Sequence, residues 1–172
     1  MATRELVIDA SCLLSLLATG RAVDIVGALG VRLLVTPHVA REPLFLWSPP
    51  NEEGERSKVA VSTEALRAAG HIVTRPLDTD ALVDAFVAAA ARINDADASC
   101  IALAGVLRCP LITDDRKVRR VATEMFPGIE LVSTLDLTHE ASRRLGWSEQ
   151  GLARIAVDLG WRGLLPHGSS GR

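Results

Sequence analysis

No apolar run in this chain reaches the roughly 18 residues that a membrane helix needs. Met1 to Arg4 leads straight into a short strand-like run, with no basic segment before a long apolar stretch. No secretory signal is therefore expected, and the cytoplasm is the expected compartment. Lysine is nearly missing, since Lys58 and Lys117 are the only two. Basic and acidic side chains balance at 19 against 21, for a formal charge of −2. Proteins that coat nucleic acid non-specifically are usually basic, so any such contact must come from a local patch. The excess of arginine over lysine, together with many alanines, reads as a GC-rich coding bias. Cysteine is sparse as well. Cys12, Cys100 and Cys109 form an odd set without a close pair, which argues against a disulfide framework. None has zinc spacing, and His38, His71, His139 and His167 are scattered, so neither a zinc site nor a Cys–His nucleophile is expected. A Walker phosphate loop and a G-x-S-x-G elbow are both missing.

What is present suits one globular domain. The chain has 172 residues, 48% of them hydrophobic and 23% charged. Its mean hydropathy is +0.23. A chain of this length buries roughly 70% of its unfolded surface, and its composition excludes disorder for most of its length.

Short β-branched runs alternate with longer helical patterns. Glu5 to Asp9 reads as a buried strand ending in a carboxylate, and Ser11 as the cap of a helix through Leu17. Ala22 to Leu29 reads as a helix stopped by Gly30, followed by a strand over Val31–Val35. Pro37 is expected to open a helix running to about Leu46, with Trp47 near its end. Residues 51–57 read as a charged loop, with a helix from there to Ala69 and a strand over His71–Thr74. Thr79 caps an alanine-rich helix, Asn94 to Asp97 interrupts it, and Ala98 to Leu107 forms the next. Leu111 to Thr113 and Ile129 to Val132 read as strands, Arg116 to Met125 as a helix, and Thr134 as the cap of a helix to about Arg144. Strands separated by helices pair in parallel. The expected fold is therefore three-layer α/β/α, with a central parallel sheet of four or five strands.

Open parallel sheets bind ligands at the carboxyl ends of their strands. Asp9 ends the first strand, and Asp114 and Asp115 follow the strand at Leu111. Glu42 is expected on the helix after the second strand, one turn in, and Asp97 at the opening of the helix that precedes the Asp114 strand. Asp78 and Asp80 rank lower. At least four carboxylates thus converge on one sheet edge, with no lysine or histidine expected to neutralise them. Packed carboxylates repel until one takes a proton or a cation sits between them. Hard divalent cations favour oxygen ligands, and a pair of them clamps both oxygens of a phosphodiester during hydrolysis. Each acid taken alone has an ordinary explanation too. Asp9, Asp95, Asp97 and the Asp114–Asp115 pair all suit helix N-termini, and Glu42 suits a solvated helix face.

Taken jointly, the motifs resemble those of the PIN-domain nucleases, from about Glu5 to Leu135. Leu6-Val7-Ile8-Asp9-Ala10-Ser11 resembles that family's first strand with its metal-binding aspartate. Val35-Thr36-Pro37-His38-Val39-Ala40-Arg41-Glu42 resembles its second strand and acidic helix. Asp97-Ala98-Ser99-Cys100-Ile101-Ala102-Leu103-Ala104 resembles its third acidic position, and Leu111-Ile112-Thr113-Asp114-Asp115-Arg116 its fourth. The resemblance implies a magnesium- or manganese-dependent endoribonuclease in which Asp9, Glu42, Asp97 and Asp115 act. Asp114 is the alternative in the last place, and Asp95 assists the third. It also implies a homodimer. Many small bacterial members are toxins of the VapC kind, inhibited by a cognate antitoxin protein. Pro43 directly after Glu42, the 48–57 loop and the chain beyond Leu145 depart from a minimal toxin.

RNA would need a basic patch, and Arg116, Arg119 and Arg120 fall on one face of a helix. Residues 1–144 are expected to form the PIN-like domain, 145–165 a helical extension and 166–172 a disordered tail. Trp147, Ser148, Leu152, Ile155, Ala156 and Leu159 give that extension its amphipathic pattern. Two other classes compete with this reading. A phosphoacceptor receiver needs a lysine after a late strand, which neither Lys58 nor Lys117 supplies. A catalytically inactive PIN-like scaffold, binding protein or RNA, has no reason to keep mutually repelling charges.

Overall fold

The computed structural model describes residues 3–148. In chain order its elements are β1 (Arg4–Ile8), α1 (Ala10–Ala18), α2 (Ala22–Leu29), β2 (Val31–Val35), α3 (Pro37–Arg41), β3 (Phe45–Trp47) and β4 (Lys58–Ala60). Then come α4 (Glu64–Ala68), β5 (Ile72–Thr74), α5 (Asp80–Ala90), α6 (Asp95–Leu107), β6 (Leu111–Ile112), α7 (Arg116–Met125), β7 (Leu131–Val132) and α8 (Thr134–Leu145).

Five strands form one parallel sheet in the order β5-β2-β1-β6-β7. Helices flank it in two groups. In one, α1, α2 and α8 pack together, and in the other α6 packs with α3, α5 and α7. This is the three-layer α/β/α arrangement expected from the alternation of short apolar runs and helices. Both faces of the central strands are covered, so Leu6, Val7, Ile8, Leu33, Leu34 and Val35 are all buried. α6 reads as apolar on nearly every side because it lies between the sheet and three other helices, with Ala98 to Ala104 buried without a break. Gly105 lets α6 approach the ring of Phe126, where an added Cβ would come within 2.3 Å of it. Among the described residues, no single helix is long and apolar enough to cross a membrane.

Several local expectations are corrected. The helix opened by Pro37 ends at Arg41, not near Leu46, and Glu42 is its C-cap with extended backbone (φ −65°, ψ 130°). The cause is Pro43, whose ring excludes the helical region for the residue before it. Freed from the helix, β3 pairs antiparallel with β4, Leu46 opposite Val59. The stretch assigned to loop and helix is thus a hairpin followed by the single short helix α4. Three helix starts also differ by a residue or more. Asp9, not Ser11, caps α1; Asn94, not Asp95 or Asp97, caps α6; and Ser133, not Thr134, caps α8 through a capping box with Asp136. The amphipathic pattern at Leu152 to Leu159 and the tail assigned to 166–172 lie outside the described residues. Trp147 is inside them and packs on the core, with the Arg21 guanidinium 4.9 Å from its ring centre.

Candidate active site

The chain crosses from β1 to β2 on one side and returns to β6 on the other, so β1 and β6 meet where the strand order reverses. Asp9 leaves β1 at that point, and Asp114 and Asp115 leave β6 beside it.

Asp9 is 1% exposed. Its Oδ1 accepts the backbone N–H of Cys12 at 2.7 Å and the hydroxyl of Ser11 at 2.9 Å. Its Oδ2 is buried and has no hydrogen-bond partner. One oxygen therefore caps α1 and the other is held for something else. A buried carboxylate oxygen without a partner costs about 1–3 kcal/mol or more, a cost that a bound cation would offset.

The other acids are brought round it from separate elements. Thr36 accepts from the Val39 N–H, capping α3, and shares a buried 2.7 Å hydrogen bond with Ser99 of α6. That bond ties the N-terminus of α3 to α6, and so relates Glu42, just past α3, to Asp97 in the first turn of α6. Asn94 Nδ2 donates to Asp97 Oδ2 at 2.7 Å, and Asn94 Oδ1 accepts the Asp97 N–H. Asp115 Oδ1 accepts the N–H groups of Lys117 and Val118, capping α7. Asp114 Oδ1 accepts the Thr134 N–H at the start of α8. Asp114 thereby joins the β6 edge to α8. Asp95 is the first residue of α6, exposed, with no role in its cap.

Electrostatics show that these acids sense one another. The carboxyl of Glu42 is pushed above its ordinary value, first by partial desolvation, then by the charges of Asp97 and Asp9. Asp97 is raised by desolvation and by Asp9 and Asp115, against the lowering effect of the Asn94 hydrogen bond and of Lys117. Lys117 is thus a partial neutraliser that was not expected. Burial, then Asp9, also raises the thiols of Cys12 and Cys100, which keeps both protonated. No ion pair reaches Asp9, Glu42, Asp97, Asp114 or Asp115 among the described residues.

These acids form a neighbourhood, not a closed cage. Among the described residues, no three of His, Cys, Asp and Glu stand together as a ready ligand set. Magnesium does not require one, since it binds through one or two carboxylates and keeps several waters. The all-oxygen donor set and the unpartnered Asp9 Oδ2 fit a hard divalent ion.

The basic face is only partly free. Arg116 and Arg120 are exposed, whereas Arg119 is half-buried with its Nη1 donating to the Thr113 carbonyl at 2.9 Å. Arg116 and Lys117 open α7, with no acid in the first turn. Cations there oppose the helix dipole, a local cost that a nearby anion would relieve. The contributions of Asn94, Ser99 and Thr36 were missed in the sequence. The Asn94-x-x-Asp97 spacing was a readable cap, but the Thr36–Ser99 pair spans 63 positions and leaves no local signal.

A PIN-domain family model matches residues 5–146. No curated protein and no solved structure matches the chain. With the family model covering most of its length and the acidic residues at the switch of a five-stranded parallel sheet, the chain belongs to the PIN-domain family and has its nuclease-type fold.

Proposed function

We propose that the chain is a magnesium- or manganese-dependent endoribonuclease that hydrolyses single-stranded or structured RNA. The observation that carries this reading is the buried, unpartnered Oδ2 of Asp9, whose carboxylate is among the charges that raise the carboxyls of Glu42 and Asp97. Asp9, Glu42, Asp97 and Asp115 would hold the metal. When bound, it supplies positive charge that neutralises the acids and the attacked phosphodiester.

The chain's own residues divide the remaining work. Asp9 is fixed by Ser11 and Cys12 in one orientation. Asn94 holds the Asp97 carboxylate against the repulsion of its neighbours. Asp115 keeps one oxygen on the α7 cap. Asp114, engaged with α8, is a support at this edge, and Asp95 is left as an outer assistant. Arg116 and Arg120, with Arg119 anchoring the helix start, would bind phosphates flanking the scissile one. In the hydrolysis, a water oxygen bonds to phosphorus, the P–O3′ bond breaks, and the 3′ oxygen takes a proton. The products are a 3′-hydroxyl and a 5′-phosphate. A homodimer and a cognate antitoxin protein complete the proposal as partners.

A catalytically inactive scaffold is the second reading, and the lack of a closed three-ligand set among the described residues favours it. Incubating structured RNA with magnesium or manganese, with and without EDTA, separates the two. The proposal expects cleavage that EDTA stops. Full-rate cleavage in excess EDTA rejects the metal mechanism, and no cleavage with either metal supports the scaffold.

A further inference from the structure

The β3–β4 hairpin begins three residues after Glu42 and was not anticipated from the sequence. It is anchored from below. Leu46 points inward, is 2% exposed and packs on Ala18 of α1. Beyond its ladder the hairpin is closed by Ser48, whose N–H donates to the Ser57 carbonyl and whose hydroxyl oxygen accepts the Ser57 N–H. Phe45 and Trp47, two positions apart on one strand, therefore share the outward face, 45% and 42% exposed. Lys58 pairs across from Trp47, with its Nζ 5.6 Å from the ring centre, and the Arg56 guanidinium is 5.9 Å from it.

Between this hairpin, α3 and α4 lies a groove of about 350 Å³. Val39, Leu44, Phe45 and Val61 line it, with Glu42 and Arg67 as its charged members. It is at the small end of ligand sites, the scale of one flat aromatic group. Its wall includes Glu42, so whatever occupies it sits next to that carboxylate.

We propose that the groove and the outward hairpin face grip single-stranded nucleic acid by its bases. One base enters the groove beside Glu42 and the next stacks on Trp47. Phe45 belongs to both, and Phe45 and Trp47 are about 7 Å apart along the strand. Aromatic rings flanked by cations are the common means of holding unpaired bases without reading their sequence. Lys58 has a long stem and can leave the ring for a phosphate when a base takes its place, whereas Arg56 is tethered through its Nε to the Ser48 carbonyl at 3.1 Å and offers its outer nitrogens. Glu52, Glu53 and Glu55 make the hairpin tip acidic, so the polyanion crosses below them, past Arg56 and Lys58 at the tip end of the ladder and towards Arg67 in the groove. The position of this grip rests on the nuclease reading, while its binding does not need metal.

The test is fluorescence anisotropy in EDTA, using a labelled single-stranded RNA 12-mer of mixed sequence and the same sequence as a duplex. Trp47→Ala should raise Kd for the single strand about 10-fold, with Trp47→Phe close to wild type and the duplex nearly unaffected. Lys58→Ala, at an exposed site, should reduce the salt slope of single-strand binding by about 0.7. Unchanged single-strand binding in both variants overturns the proposal, as does an equal loss for the duplex. A shift from dimer to monomer by light scattering with RNA affinity intact overturns it in favour of an interface between copies. RNA cleavage by the wild type with hairpin variants that bind normally removes the grip and leaves the nuclease. Trp47-dependent binding without any cleavage does the reverse.

Discussion

The two edges of the central sheet treat carboxylates in opposite ways. At the amino ends of the strands every prominent acid is matched by an arginine. Glu130 meets Arg4 at 2.6 Å, Glu5 meets Arg32 at 3.7 Å, and Glu140 is bracketed by Arg143 and Arg144. Hydrogen bonds from Arg144 and Arg143 hold the Glu140 carboxyl below its ordinary value. At the carboxyl ends Asp9, Glu42, Asp97 and Asp115 have no arginine partner, and Glu42 and Asp97 are pushed upward. The chain has ample arginine, so withholding it from one edge is a property of that edge. Paired acids there would be structural, and unpaired acids are available to a cation. A cavity of about 870 Å³ opens at the paired edge, yet its acids are already answered, Glu130 and Glu140 by arginine and Asp136 by Ser133.

The contrast can be broken most severely by neutralising one acid at the unpaired edge. Asp97→Asn should lower RNA cleavage about 1,000-fold, equivalent to about 4 kcal/mol, while leaving the metal-free melting temperature unchanged or higher. Asn94 caps α6, so the substitution removes repulsion without removing a cap. A large loss of metal-free stability would place Asp97 among the structural acids instead.

Metal should sharpen the same contrast in thermal melts. Magnesium or manganese at 100 times its Kd adds about 2.7 kcal/mol to the wild type, less to Asp97→Asn, and the full amount to Glu140→Gln at the paired edge. Equal stabilisation of the two variants would erase the distinction.

Acidity provides a smaller effect with a definite sign. A carboxyl whose folded pKa lies above its ordinary value binds its proton more tightly when folded, so folding gains as pH falls. For Glu42 and Asp97 the gain develops on acidification from neutral pH and is complete below the ordinary values of 4.5 and 3.8. Asp136 behaves oppositely. Its carboxyl is held below 3.8 by Ser133, so its capping contribution is lost only at lower pH. On acidification towards 4.5 and 3.8 the metal-free wild type should therefore gain melting temperature relative to Asp97→Asn.

The smallest effect is expected at the paired edge. Arg4→Ala breaks an ion pair whose side chains are both more than half exposed. It should cost about 0–1 kcal/mol and leave cleavage unchanged. A loss of cleavage there would show that the two edges are not independent.

Much of the sheet was legible because its signals are local. α2, β2 and α7 fall where Gly30, the Val31–Val35 run and the acids before Arg116 place them. The hairpin was not legible, because three-residue strands leave no clear alternation and their pairing, Phe45 opposite Ala60, is across a loop. Pro43 carried the needed information, since it forbids a helix through Glu42, but the apolar run after it still read as helical. At the site, the order of the acids along the chain predicts Asp9, Glu42, Asp97 and Asp115 as one set, and the structure has Glu42 influenced by Asp97 and Asp9, and Asp97 by Asp9 and Asp115. Their local roles were not legible, because an aspartate after a strand is equally a cap and a ligand. In Asp9 one oxygen caps α1 and the other has no partner.

Titration calorimetry with manganese in the absence of RNA bears most directly on whether the unpaired edge exists for a cation. Saturable binding to the wild type, lost in Asp9→Asn and intact in Glu140→Gln, is the predicted result. Binding that survives Asp9→Asn, or no binding to the wild type at all, would contradict it.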